Sequence, residues 1–87
     1  IPRGEAWKYA IDGRTAFDGD KPINPHGGRC NFGHAHGASG IADIVEAVKQ
    51  MRGVAGATQM KKVPETAFLR GFGGSQNVRC QILRTVA

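Results

Sequence analysis

Residues 24–40 read Asn-Pro-His-Gly-Gly-Arg-Cys-Asn-Phe-Gly-His-Ala-His-Gly-Ala-Ser-Gly, with five glycines and three histidines. Each glycine in a helix interior costs about 1 kcal/mol against alanine, and the stretch lacks the alternation of a strand. It therefore predicts a long loop, which in a compact domain is usually functional or disordered. The residues immediately after it argue for order. Ile41, Ile44, Val45, Val48 and Met51 fall at i, i+3, i+4, i+7 and i+10, one apolar stripe. Ala42 and Ala47 widen it. The spacing predicts a helix over about 40–52. Ser39 is the expected N-cap, Asp43 suits the positive end of the dipole, and Gly53 is a natural stop after Lys49 and Arg52.

The rest of the chain offers little to bury that stripe. Trp7, Tyr9 and Ile11 alternate with Lys8 and Ala10 and predict a short strand, closed by a turn at Asp12-Gly13. Asp18-Gly19-Asp20 and Pro22 continue as loop, and residues 53–59 read as a connector. Thr66-Ala67-Phe68-Leu69 is strand-like, and Gly71-Phe72-Gly73-Gly74-Ser75 reads as a second glycine loop. Val78, Cys80 and Ile82 alternate with Arg79 and Gln81, predicting a strand whose apolar side is covered. The fold class is α/β, with one helix and two or three strands. Apolar stripes on both kinds of element require something else to cover them.

A chain of 87 residues buries only about 60% of the surface its unfolded form exposes, and small domains usually add staples. Cys30 and Cys80 allow one disulfide at most, which excludes a disulfide scaffold. No apolar run approaches the roughly 20 residues of a membrane span. The start at Ile1 leads us to expect a processed or truncated product. The net charge of +5 suits an anionic partner or a solvated basic surface. The basic residues are scattered, with only Lys61-Lys62 adjacent, and no aromatics interleave with them. A nucleic-acid stacking surface is therefore not expected.

His26, Cys30, His34 and His36 leave several chemistries open. Imidazole and thiolate are zinc ligands, although H-x3-C-x3-H-x-H is not a familiar zinc spacing. A glycine loop opening onto a helix start presents N–H groups to an anion, although the P-loop pattern is absent. A histidine held there can serve as a general acid or base. Each could also be a loop histidine without a chemical role.

The run Ile23-Asn24-Pro25-His26-Gly27-Gly28, then Gly33-His34, then Gly37-Ala38-Ser39-Gly40 and the amphipathic helix, resembles the C-terminal segment of the thiolase superfamily. Glu46 to Gly53, Ala55-Gly56-Ala57-Thr58-Gln59 and the closing Gly71-Phe72-Gly73-Gly74 are similar to the sterol-carrier-protein-X and lipid-transfer-protein branch. The resemblance covers about residues 21–84 and implies that residues 1–87 are the C-terminal part of a larger thiolase-like domain acting on acyl-CoA thioesters. It implies that the nucleophilic cysteine lies outside this chain. His34 would activate that cysteine and help hold an enolate oxygen, and Gly71 would give a backbone N–H to an oxyanion hole. Gly33, Phe72 and Gly73 would line the substrate site. No metal or bound cofactor is implied; coenzyme A would be a substrate or product.

The implied partners are the remaining thiolase half, a second copy, or a small OB-fold subunit, with no nucleic acid. The implied location is cytoplasmic, or peroxisomal in a eukaryote. Ala35 and His36 depart from the usual Pro and aliphatic residue of the family. Leu69 stands where many thiolases carry an acid/base cysteine. That departure points to a retro-aldol reaction on a CoA thioester, as in some lipid-transfer-like members, or to thiolysis or acyl transfer in which another residue of the missing half replaces the cysteine. A non-catalytic lipid-transfer or scaffold subunit is the other expectation. Cys30 sits at a position variable in the family, and Cys80 is expected as a small core residue.

Overall fold

The computed structural model describes residues 1–73 and 77–86. Its elements are α1 (Ala6–Ile11), α2 (Gly28–Phe32), α3 (Gly37–Met51), a 3-10 turn (Gly56–Thr58), β1 (Thr66–Gly73) and β2 (Asn77–Arg84). β1 and β2 form an antiparallel ribbon in which Phe68 faces Ile82, Arg70 faces Cys80 and Gly71 faces Arg79. α3 packs on β1. The fold class is α/β, as the sequence indicated.

Alternation along the ribbon shows which side the helix covers. Ala67, Leu69, Gly71 and Leu83 are half-buried, whereas Phe68, Arg70, Val78 and Ile82 are exposed. Residues paired across an antiparallel ribbon share a face. Ala67 and Leu83 therefore lie under α3, and Phe68 and Ile82 lie on the outer side. On α3, Ile44, Ala47, Val48 and Met51 are half-buried, while Ile41 and Val45 remain exposed. The apolar stripe is thus wider than the ribbon that covers it.

Several expectations are corrected. Val78, Cys80 and Ile82 occupy the uncovered side of β2, and Cys80 is an exposed free thiol instead of a core residue. Residues 71–73 continue β1 instead of forming a loop; Gly74 and Ser75 of that predicted loop lie outside the described residues. Trp7, Tyr9 and Ile11 belong to a helical turn, not a strand. Over so few residues Trp7, Ala10 and Ile11 also fit i, i+3, i+4. The Lys8 ammonium pairs with the Glu5 carboxylate at 3.0 Å one turn back, which favours the helix locally.

No hydrophobic residue among the described ones is fully buried, and Phe68, Ile82 and Ile11 are 66%, 71% and 75% exposed. The radius of gyration is 13.3 Å, against about 12 Å for a compact chain of this length. Polar links do much of the local ordering. Gln50, 3% exposed, lies at the end of α3. Its amide donates to the Thr58 carbonyl at 2.9 Å and to Glu46 Oε1 at 3.2 Å, and its Oε1 accepts the Met60 N–H at 3.0 Å. Gln59 reciprocates: its amide donates to the Gln50 carbonyl and its Oε1 accepts the Ala55 N–H. The connector after α3 is laced to the helix end.

Candidate active site

The predicted loop 24–40 is more structured than its glycine content suggests, because α2 interrupts it and α3 begins at Gly37 instead of near 40. Its glycines have individual reasons. Gly27 has φ +98°, and a Cβ there would come within 2.7 Å of Asn31 Cβ. Gly28, buried at φ +63°, lies against the Asn24 side chain, with contacts of 3.1 Å for an added Cβ. The Asn-Pro-His-Gly-Gly run thus packs its own asparagine on its own second glycine.

Arg29 joins the two sides of the loop. Its guanidinium donates to Asp43 Oδ1 of α3 at 2.5 Å and to the Gly33 carbonyl at 3.2 Å. The Gly33 N–H in turn donates to the Arg29 carbonyl at 2.8 Å. Gly33 adopts φ 78°, ψ −178°, a conformation open mainly to glycine. Asp43, expected only to complement the helix dipole, is an inter-element ion partner. A pairing across 14 residues leaves no mark in local sequence.

His34 follows Gly33 and is exposed. Its Nδ1 lies 2.9 Å from Ser39 Oγ, and that oxygen also accepts the Ala35 N–H at 2.8 Å. Ser39 is only 7% exposed. It is therefore not the N-cap: His36 holds that position, at φ 48°, ψ −126°, and Ser39 reaches back from the first turn to tie down the loop. The His36 ring is 5.6 Å from that of His34, tilted by 55°. His26 turns away to stack on Phe32 at 5.0 Å. Cys30 is exposed on α2. Among the described residues, no three His, Cys, Asp or Glu side chains are placed to hold a metal ion, so the zinc alternative has no assembled ligand set.

Gly71, Phe72 and Gly73 are the last residues of β1 and pair with Arg79, Val78 and Asn77. Val48, Met51 and Arg52, at the C-terminal end of α3, share a groove with Leu83 to Val86. Arg84 pairs with Thr66, at the start of β1. The C-terminal end of α3 therefore lies at the end of the ribbon where β1 starts. No hydrogen bond joins His34 to Gly71 among the described residues, and the groove beside Asp18, Asp20 and Met60 to Thr66 lies apart from both.

The chain matches the thiolase C-terminal domain-like family over residues 1–84 and belongs to it. It is 38% identical over 78 residues to the benzoylsuccinyl-CoA thiolase subunit BbsB of Thauera aromatica, covering 90% of this chain and 20% of that protein. It is 41% identical over 80 residues to an acetyl-CoA acetyltransferase of Methanothermobacter thermautotrophicus, covering 90% and 21%. Sterol carrier protein 2 of Bos taurus is 39% identical over 59 residues, 68% of this chain and 11% of that protein. The chain thus spans about a fifth of the length of the first two relatives. No solved structure matches it significantly. No helix among the described residues is long and apolar enough to cross a membrane.

Proposed function

We propose that this chain is the C-terminal part of an acyl-CoA enzyme of the thiolase type, supplying a histidine to a site whose cysteine nucleophile lies elsewhere in the protein. The observation that carries the reading is the His34 imidazole tethered at Nδ1 by Ser39. It stands at the mouth of α3. A thiolate attacking a thioester needs a neighbour to receive or share its proton, and the carbonyl oxygen needs donors as it gains charge. His34 suits the first need, with Gly33, Phe72 and Gly73 lining the acyl thioester. Gly71 faces Arg79 in the ribbon. The Thr85 to Glu65 bond sets a ladder phase in which the Gly71 N–H points at β2, so the second need falls to donors of the rest of the enzyme.

Leu69 has no ionisable atom and cannot act as an acid or base. It supports a retro-aldol or other C–C lyase reaction on a CoA thioester, beside thiolysis or acyl transfer. The uncovered side of the ribbon, with Phe68 and Ile82 exposed, supports a covering partner: the remaining thiolase half, a second copy, or a small OB-fold subunit. The naming of one relative as a subunit also favours a multi-chain assembly; the location that goes with the acyl-CoA reading is the cytoplasm or, in a eukaryote, the peroxisome.

The test uses the protein complete over the length of its relatives. It is supplied with a 3-ketoacyl-CoA and free CoA, and separately with a 3-hydroxyacyl-CoA bearing a tertiary alcohol. Turnover of either should fall at least about 100-fold in His34→Ala and little in His26→Ala. CoA-dependent cleavage of the first alone would reject the lyase reading. No turnover of either would favour the scaffold alternative.

A further inference from the structure

We propose that Arg29, braced by Asp43, is a positioning residue: its guanidinium fixes the peptide plane that leads into His34. The clamp stands on geometry. Its consequence for turnover rests on the acyl-CoA reading, in which His34 receives the cysteine proton.

Among the described residues, little packing holds this stretch. His34, Ala35 and His36 are exposed, and an added Cβ on Gly33 would meet nothing within 4 Å. Glycine also has the widest backbone freedom of any residue. Hydrogen bonds therefore hold the peptides on either side of His34. The plane after it is pinned by Ser39 Oγ, which accepts the Ala35 N–H at 2.8 Å. The plane before it contains the Gly33 carbonyl, and Arg29 Nη1 donates to that oxygen at 3.2 Å. Only φ and ψ of His34 are soft between the two planes, so pinning both planes sets both angles. The ring then reaches Ser39 Oγ, 2.9 Å from Nδ1, from a fixed base.

The carbonyl bond alone is a weak tether, at 3.2 Å and open to solvent. Asp43 keeps the arginine from swinging away. Arg29 Nη2 donates to Asp43 Oδ1 at 2.5 Å, with the two side chains 31% and 32% exposed. Such charge-assisted bonds are roughly twice as strong as neutral ones. The carboxylate stands on α3, a helix of 15 residues. Arg29 Nε is buried without a partner among the described residues, so the two terminal nitrogens make the clamp. Two nitrogens in one rigid plane reach two acceptors at once, whereas the single nitrogen of a lysine does not reproduce that fork. Arg29 touches no substrate in this scheme; it acts through His34.

The experiment uses the complete protein labelled with 15N-histidine. Relaxation of the His34 amide should give an order parameter of about 0.85 in the wild type and below about 0.6 in Arg29→Lys, with the His26 amide unchanged. Arg29→Lys keeps a cation beside Asp43, so its denaturation midpoint should hold. Its kcat should fall about 10- to 100-fold, with KM within about twofold. Asp43→Ala should lower kcat alike, and the double variant no further, because the two residues act as one unit. A His34 order parameter unmoved by Arg29→Lys overturns the proposal. So does an unchanged kcat in an active enzyme, or losses that add in the double variant. Loosening of His26 together with His34 would make Arg29 a general support of the loop and also refutes the role. If Asp43→Ala fails to fold, Arg29→Lys decides. If the protein turns over no CoA thioester, the acyl-CoA reading fails, and the order parameter alone decides the clamp.

Discussion

Replacing Gln50 by alanine should loosen the connector after α3 without unwinding the helix. The Gln50 amide makes three hydrogen bonds, to Thr58, Glu46 and Met60, and the residue is only 3% exposed. Truncation strands the Met60 N–H and the Thr58 carbonyl in a half-buried setting. A single hydrogen bond contributes about 1 kcal/mol net, and an orphaned buried group costs about 1–3 kcal/mol. Met60 and Thr58 are only half-buried, so water relieves part of that cost. The expected local loss is about 2 kcal/mol, or roughly 30-fold faster amide exchange at Met60. The Ala55 N–H, held by Gln59 Oε1, should be affected less. Gln50→Glu separates the terms. Its carboxylate still accepts the Met60 N–H but loses both donors and faces Glu46, so exchange should rise at neutral pH and recover as the pH falls below about 4. Native-state hydrogen exchange on the complete protein reads these amides directly. Unchanged exchange at Met60 in Gln50→Ala would show that the network follows the connector's path instead of holding it.

Three further outcomes are expected. The 87-residue chain alone, lacking a fully buried hydrophobic residue among those described, should not melt cooperatively; a sharp circular-dichroism transition above about 50 °C with monomeric mass in sedimentation would contradict this. The Arg14 guanidinium hydrogen-bonds Asp20 at 2.5 and 2.9 Å and holds its carboxyl below the usual range. A depressed carboxyl stabilises the folded turn above the unfolded value of about 3.9 and loses that contribution as the pH falls through the folded value. An NMR titration should show Asp20 ionising at lower pH than in Arg14→Gln. Gly27→Ala combines φ +98° with a 2.7 Å approach to Asn31; it should destabilise the loop by at least about 1 kcal/mol, seen as a lower denaturation midpoint, whereas Gly40→Ala, with open space around it, should be neutral or stabilising.

What the sequence by itself determined is what a few consecutive residues decide. The helix over Gly37–Met51 was legible because five apolar residues repeat at helical spacing and a glycine comes after them. The second strand was legible from alternation, and the family from an ordered set of glycine and histidine motifs. Tertiary structure alone decided which sides matter. Alternation in β2 makes Val78, Cys80 and Ile82 share a side, but only the docking of α3 onto the side of Ala67 and Leu83 decides which side is covered. Trp7 to Ile11 fits both periods, and a local ion pair, with no strand alongside among the described residues, resolves it as helix. Ser39 has the chemistry of a cap, yet the helix starts two residues before it, and its hydroxyl turns back to His34. Arg29–Asp43 and Gln50–Met60 join residues 14 and 10 positions apart. Such contacts depend on how the chain closes on itself, and a hydroxyl, a carboxylate or an amide carries no local sign of the partner that closure will bring to it.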